Sequence, residues 1–343
     1  MKNNNALSHN LPQNLRPTIA DLETVNPWLG LWRFISLGLV VLSLATLAWS
    51  SHHSILFFGY TMLMGIFYTF WLICTHDAVH HTLTGWTWFD ELVPRSISYF
   101  MMWPHGTYAQ LHRLHHAWNG INLDDPERVQ WTLSEYQQTS PWMQWYIRHQ
   151  LVIDLFGLAG VGLIAKTSAN AFRLRQHKPS LPWMLLLDGI GILIVQSTCI
   201  IFAIWHNKVL EYVLFWLVLE RVVGMMSQAR DHLEHYGQWG KASGHQLTQL
   251  YACRNLQTIP LVAWLMGGLN YHSIHHAFPS IPFNRLPEAF HRIQAILEQH
   301  QLPPMTVGAG YVQETLQLSK RALLIGEPNL NSFTGRHQML SQF

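Results

Sequence analysis

The sequence predicts an all-α integral membrane protein, with four membrane helices arranged as two hairpins and a helical cap on the cytosolic side. Three observations predict it. Four apolar runs are each long enough to cross a bilayer. Only 12% of the residues are charged, against about 25% in an ordinary soluble domain. Lysine and arginine gather outside the apolar runs.

The runs cover residues 32–49, 54–74, 183–205 and 209–226. At 1.5 Å per residue they give helices of about 27 to 34 Å, matching a hydrocarbon layer about 30 Å thick. "SSHH" separates the first pair and "HNK" the second, so each pair reads as a helical hairpin. Trp32, Trp49, Trp183 and Trp205 end two of the spans and suit the interfacial aromatic belt. Between Arg95 and Lys178 lie Arg113, Arg128, Arg148, Lys166, Arg173 and Arg175, whereas the hairpin connections hold only Lys208. The positive-inside rule then puts the middle segment and both termini in the cytoplasm. A fifth apolar run, Leu151–Ala165, is short and flanked by Arg148, His149 and Lys166, so it is expected to lie along the interface.

Residues 1–30 are polar and rich in asparagine and proline, without the basic region and apolar run of a signal peptide, and are expected to be a flexible lead-in. Residues 31–300 form the main domain, its cap built from 75–182 and 227–300, and 301–343 form a C-terminal tail. Cys74, Cys199 and Cys253 stand singly, which excludes a disulfide framework. A net charge of +2 gives no sign of a nucleic-acid partner.

The abnormal number is histidine: 22 residues, against 21 lysines and arginines together. They cluster as "HDAVHH" (76–81), "HRLHH" (112–116) and "HSIHH" (272–276), with "DHLEH" (231–235) just beyond the fourth span. His76 and His80 share one helical face, whereas His81 is turned roughly 140° from His76. His112, His115 and His116 fall within a wedge about 100° wide, as do His272, His275 and His276. Burying so many imidazoles without partners is costly, and neutral imidazole is a good ligand for zinc, copper, iron and nickel. The set exceeds what one ion needs, so two ions are the simplest reading. Iron is favoured, because a nearly all-nitrogen site beside lipid suits oxygen chemistry better than hydrolysis. A metal-bound histidine normally donates its other ring nitrogen to a carboxylate or carbonyl. Asp77, Asp231 and Glu234 stand beside ligands, and Asp124 and Asp125 follow the second cluster. Asp231, one turn before His235, could hold a metal-bound water or orient a ligand.

HDAVHH, HRLHH and NYHSIHHAFPSIP, in this order and with these apolar spacers, resemble the three histidine boxes of the membrane fatty acid desaturase and lipid hydroxylase superfamily. The resemblance covers residues 54–297. It implies a cytosolic cap holding two Fe2+ ions, with His76, His80, His112, His115, His116, His235, His272, His275 and His276 as ligands. The first box can be read as HxxxH with His80 or HxxxxH with His81, and His232 stands near enough to His235 to be a further candidate. The third box opens with His272 where front-end desaturases carry glutamine, and no HPGG motif of a fused cytochrome b5 is present.

The implied function is O2-dependent introduction of a double bond into a fatty acyl chain. Implied partners are a long-chain lipid and a separate electron donor, ferredoxin or cytochrome b5. The alternative within the superfamily is a carotenoid or other lipid hydroxylase or ketolase. A reading from another class, a zinc-binding membrane receptor or transporter, needs fewer histidines and a polar path through the spans, which hold little beyond Asp188, Glu211, Glu220 and Arg221.

Overall fold

The computed structural model describes residues 15–320, 322–326 and 337–340. Among these the chain is mostly helical. In order the helices are α1 (Pro27–Ser50), α2 (Ser54–Val79), α3 (Thr87–Phe100), α4 (His105–Trp118), α5 (Leu133–Gln138), α6 (Pro141–Val152), α7 (Ala159–Arg173), α8 (Leu181–Trp205), α9 (Val209–His235), α10 (His245–Tyr251), α11 (Pro260–Leu265), α12 (His272–Ala277), α13 (Leu286–Gln299) and α14 (Tyr311–Leu318). Short strands β1 (Asn255–Leu256) and β2 (Val307–Gly308) pair in parallel, and β3 (Ala322–Ile325) and β4 (His337–Leu340) pair antiparallel.

The chain divides into two compact units. The spanning unit comprises residues 26–114 and 152–229, and the polar unit the rest. This division does not follow the boundaries expected from the sequence. Residues 75–114 and 152–182, assigned there to the cap, pack with the spans.

In the spanning unit, Asn26 caps α1 by accepting from the Trp28 N–H, with Pro27 preset for the first turn. Residues 51–53 return the chain into α2, and residues 206–208 join α8 to α9, with Asn207 in the left-handed region (φ 55°). The core joins Val41 and Leu44 of α1, Met64 and Tyr68 of α2, and Phe215, Leu219 and Val223 of α9. Outward, Leu39, Leu42, Ile55, Leu193, Ile201, Phe202 and Leu210 are exposed, an apolar surface that suits lipid.

Among the described residues, four helical runs are long and apolar enough to cross a membrane: Pro27–Ser50, Ser54–Val79, Pro141–Arg173 and Leu181–Trp205. The third differs from the sequence expectation, which laid 151–165 on the interface and placed a span at 209–226. Within α9, residues 209–226 are helical but carry Glu211, Glu220 and Arg221. The run 141–173 is interrupted: a wide π-turn covers Ile153–Leu158 and Ala159 has φ 43°. Polar groups of α9 hold the break. Glu220 accepts from Val161 N–H at 2.7 Å, Arg221 donates to the carbonyls of Gly157 and Leu158, and Gln228 donates to that of Ala159. Glycine is required here: a Cβ on Gly224 would lie 1.8 Å from the backbone nitrogen of Gly160.

Asp188, fully buried in α8, accepts from the Tyr99 hydroxyl (2.8 Å), the Gly106 and Thr107 N–H groups (3.1 and 2.7 Å) and the Thr107 hydroxyl (2.7 Å). An intramembrane carboxylate is costly unless so satisfied, and this one closes the first turn of α4. Arg33 of α1, also fully buried, pairs with Asp77 of α2 at 2.7 Å.

In the polar unit, the core gathers Leu247 and Leu250 of α10, Ile274 of α12, and Ala289, Ile293 and Leu297 of α13. Leu15, Ile19 and Leu22 belong to it. The expected lead-in therefore differs from what is found: residues 1–14 lie outside the described residues, and 15–22 are packed. The tail is integrated too. β2 pairs with β1, Ile325 N–H donates to the Trp131 carbonyl at 2.8 Å, and Leu323 N–H donates to the Tyr236 hydroxyl at 2.7 Å.

Candidate metal centre

In the spanning unit, α2 ends at its histidines. His76 lies in the last turn and His80 is the C-cap. His112, on the second turn after the Asp188-held start of α4, meets them. Ring centroids are 5.3 Å apart for His76 and His80, 4.7 Å for His76 and His112, and 5.2 Å for His80 and His112. One nitrogen of each lies within 4.8 Å of the others. Tyr108 stacks on His112, and Arg113 donates to the Val79 carbonyl at 3.1 Å, tying α4 to the end of α2. Asp77 turns one oxygen toward Arg33 and the other toward His76 Nδ1, at 3.4 Å. His81 is not in this group. Its backbone is left-handed (φ 55°), and its Nδ1 is buried without a hydrogen-bond partner among the described residues.

The polar unit brings six histidines together. His115 and His116 come from the end of α4, His235 from the end of α9, and His272, His275 and His276 from one face of α12. All six are buried. The His235 Nε2 lies 3.2 Å from His115 Nε2 and 3.0 Å from His272 Nε2, and His116 and His275 approach at 3.2 Å through the same atoms. Two imidazole nitrogens bound at right angles to one ion, each about 2.1 Å from it, lie about 3.0 Å apart. His235, His272, His276 and Cys253 each place a ligand atom within 4.8 Å of the others.

The far sides of the rings are held. Asp125 accepts from His115 Nδ1 at 2.8 and 2.9 Å, which turns Nε2 toward His235. Of the two aspartates after the second box, Asp125 is buried and bonded to a ligand candidate, and Asp124 is exposed. Asp231 acts electrostatically on His115 and Glu234. His232 stacks on Tyr236 and stands outside both ligand groups.

Electrostatics divide the nest. Burial pulls His115 down, but the Asp125 and Glu127 carboxylates outweigh it and hold the imidazole up at about 9. Burial, then the neighbouring imidazoles, pushes His272 and His276 well below the usual histidine range. These rings are neutral donors. His272 Nδ1 and His276 Nε2 are buried without hydrogen-bond partners among the described residues, an arrangement that costs free energy unless something binds there. Burial also lifts Glu234 to about 8 and the Cys253 thiol well above its usual value, shifts that a divalent cation would oppose. The residues therefore fit a metal, and the histidine clusters could hold one.

Three contributors lay outside the sequence reading. Arg33 holds Asp77, and Gln249 and Cys253 face His276 and His235. Arg33 in an apolar run was a readable signal, since a span arginine calls for a partner. Gln249 had none.

The sequence model of the fatty acid desaturase family matches residues 52–308, which include all three histidine boxes. Among curated proteins, the chain is 25% identical over 266 residues to a Delta(5) fatty acid desaturase of Caenorhabditis elegans, covering 68% of this chain and 56% of that protein. It is 23% identical over 281 residues to a Delta(8)-fatty-acid desaturase of Euglena gracilis, covering 72% and 63%. It is 22% identical over 285 residues to a fatty acid desaturase of Bacillus subtilis, covering 81% and 76%. The chain thus spans less than two thirds of the length of the first two. With all three boxes inside the matched segment, the chain belongs to the fatty acid desaturase family.

Proposed function

We propose that this protein is a membrane oxidoreductase that uses O2 and two histidine-bound Fe2+ ions to introduce a double bond into a fatty acyl chain. The observation that carries the proposal is the gathering of His76, His80 and His112 in the spanning unit and of six buried histidines in the polar unit, the latter with Nε2 atoms at ligand spacing. The ligands are His76, His80, His112, His115, His116, His235, His272, His275 and His276. When bound, the irons supply the oxidising power that an unactivated C–H bond demands and that no side chain offers.

The chain's own residues hold and orient. Asp125 holds the His115 ring through Nδ1 and turns its Nε2 toward His235. The Arg33–Asp77 pair steadies His76 at the end of its span. The exposed apolar faces of the spans keep the protein in the bilayer, where long acyl chains reside. The spans are α1, α2, α8 and residues 209–226 of α9. The broken run 141–173 lies at the interface, because neither α6 nor α7 alone reaches the roughly 20 residues a crossing needs. Histidine boxes and termini face the cytoplasm, and ferredoxin or cytochrome b5 delivers electrons.

Expression in a host lacking such an enzyme, with lipid and pigment profiling, tests the reaction. A new acyl double bond is expected. An oxygenated carotenoid with unchanged acyl chains would move the assignment to a hydroxylase or ketolase. Purified protein carrying zinc and no iron would overturn it.

A further inference from the structure

Behind the histidines of the polar unit lies a buried polar cluster that the proposed reaction does not use: Asn119, Gln249 and Cys253. Asn119 follows the second box by three residues, Gln249 sits in α10, and Cys253 stands just beyond that helix. All are at most 3% exposed. Gln249 Nε2 donates to the Asn119 backbone carbonyl at 2.8 Å, which fixes the amide orientation because a carbonyl can only accept. Its Oε1 therefore accepts from Asn119 Nδ2 at 3.1 Å and faces His276 Nδ1 at 3.1 Å. An acceptor opposite His276 Nδ1 requires the proton on that nitrogen and leaves the lone pair on Nε2, the atom buried without a partner among the described residues. The same Asn119 Nδ2 lies 3.2 Å from Cys253 Sγ, which in turn faces His235 Nδ1 at 3.9 Å. His235 directs its other nitrogen toward His115 and His272.

We infer that the Asn119–Gln249–Cys253 cluster is a positioning device that selects the Nδ1–H tautomer of His276 and His235 and aims both Nε2 atoms at one metal ion. The inference rests on the metal-binding reading above and adds the residues that set ring orientation. Cys253 acts as a hydrogen-bond acceptor behind His235 and not as a ligand. Its sulfur sits on the Nδ1 side, opposite the nitrogen that meets the other imidazoles. A neutral amide orients without adding charge, whereas Asp125 does the same for His115 with a carboxylate.

The test loads full-length protein in detergent with 57Fe2+ and, separately, Co2+, then follows chelator extraction and the Mössbauer spectrum. In Gln249→Leu the ion held by His276 is expected to bind about 10- to 100-fold more weakly, while the second ion is extracted as in wild type. Gln249→Glu keeps the acceptor toward His276 and loses the donor to Asn119, so it should retain both ions with a changed quadrupole splitting. That variant decides the matter if the leucine variant fails to fold. Cys253→Ser, which keeps an acceptor, should bind both ions, whereas Cys253 as a ligand would make its replacement change cobalt charge-transfer absorption. Extraction and spectra identical to wild type in Gln249→Leu, or in Gln249→Glu where leucine does not fold, overturn the inference. Wild type that binds Co2+ but not Fe2+, with the ion lost in Gln249→Leu, supports the cluster and sinks the iron reading. Wild type that binds neither overturns both.

Discussion

The histidines of the spanning unit and those of the polar unit are steadied by different chemistry. In the spanning unit, His76 leans on Asp77, and Asp77 is held by a fully buried guanidinium. In the polar unit, His115 leans on a carboxylate, but His276 and His235 lean on an amide and a thiol. An ion pair between two membrane helices fixes where α1 and α2 meet as well as how a ring points. A neutral network only orients. Damage to the first should therefore appear in folding, and damage to the second in metal affinity.

The largest effect separates ligands from their supports. His115→Ala should abolish product formation while membrane insertion persists, checked by product analysis and membrane fractionation; full activity would break the ligand assignment. Next comes Arg33→Met, which strands a buried carboxylate and should cost about 3–5 kcal/mol in detergent unfolding. Adding Asp77→Asn should recover part of that loss, because the stranded charge is gone; no recovery would mean that Arg33 acts through packing alone. Asp188→Ala leaves the Gly106 and Thr107 N–H groups without their acceptor and should cost about 1–3 kcal/mol. It should also weaken metal retention through His112, two turns along the same helix.

The pH response sharpens the contrast. His115 is held up at about 9, above its ordinary 6.5, by Asp125 and Glu127 against the pull of burial. Its contribution to the stability of metal-free protein is complete below pH 6.5 and is lost as pH rises through 9. Asp125→Asn should flatten that loss in unfolding curves recorded across the window. Smallest of all, Thr132→Ala removes the capping box of α5 and should cost about 1 kcal/mol without touching metal binding.

What the sequence revealed follows the reach of its periodicities. Pairs such as His76 and His80, or His272 and His276, are four residues apart on one helix, so local geometry brings them together before any tertiary contact forms. The choice of His80 over His81 depended on where α2 stops, and a helix end is set by neighbours. Leu15, Ile19 and Leu22 stand at helical spacing and marked a buried edge inside a stretch that read as a lead-in. The break in 141–173 was hidden because its cause lies on α9, where Glu220, Arg221 and Gln228 satisfy the freed backbone. Gln249 was hidden for the same reason: its partners are 27 and 130 residues away.

The most direct measurement is the count of iron per purified chain, in wild type and in His112→Ala and His276→Ala. Two ions held by the nine histidines predict about two irons in wild type and about one in each variant. A single zinc in wild type, or two irons surviving in both variants, would contradict the account.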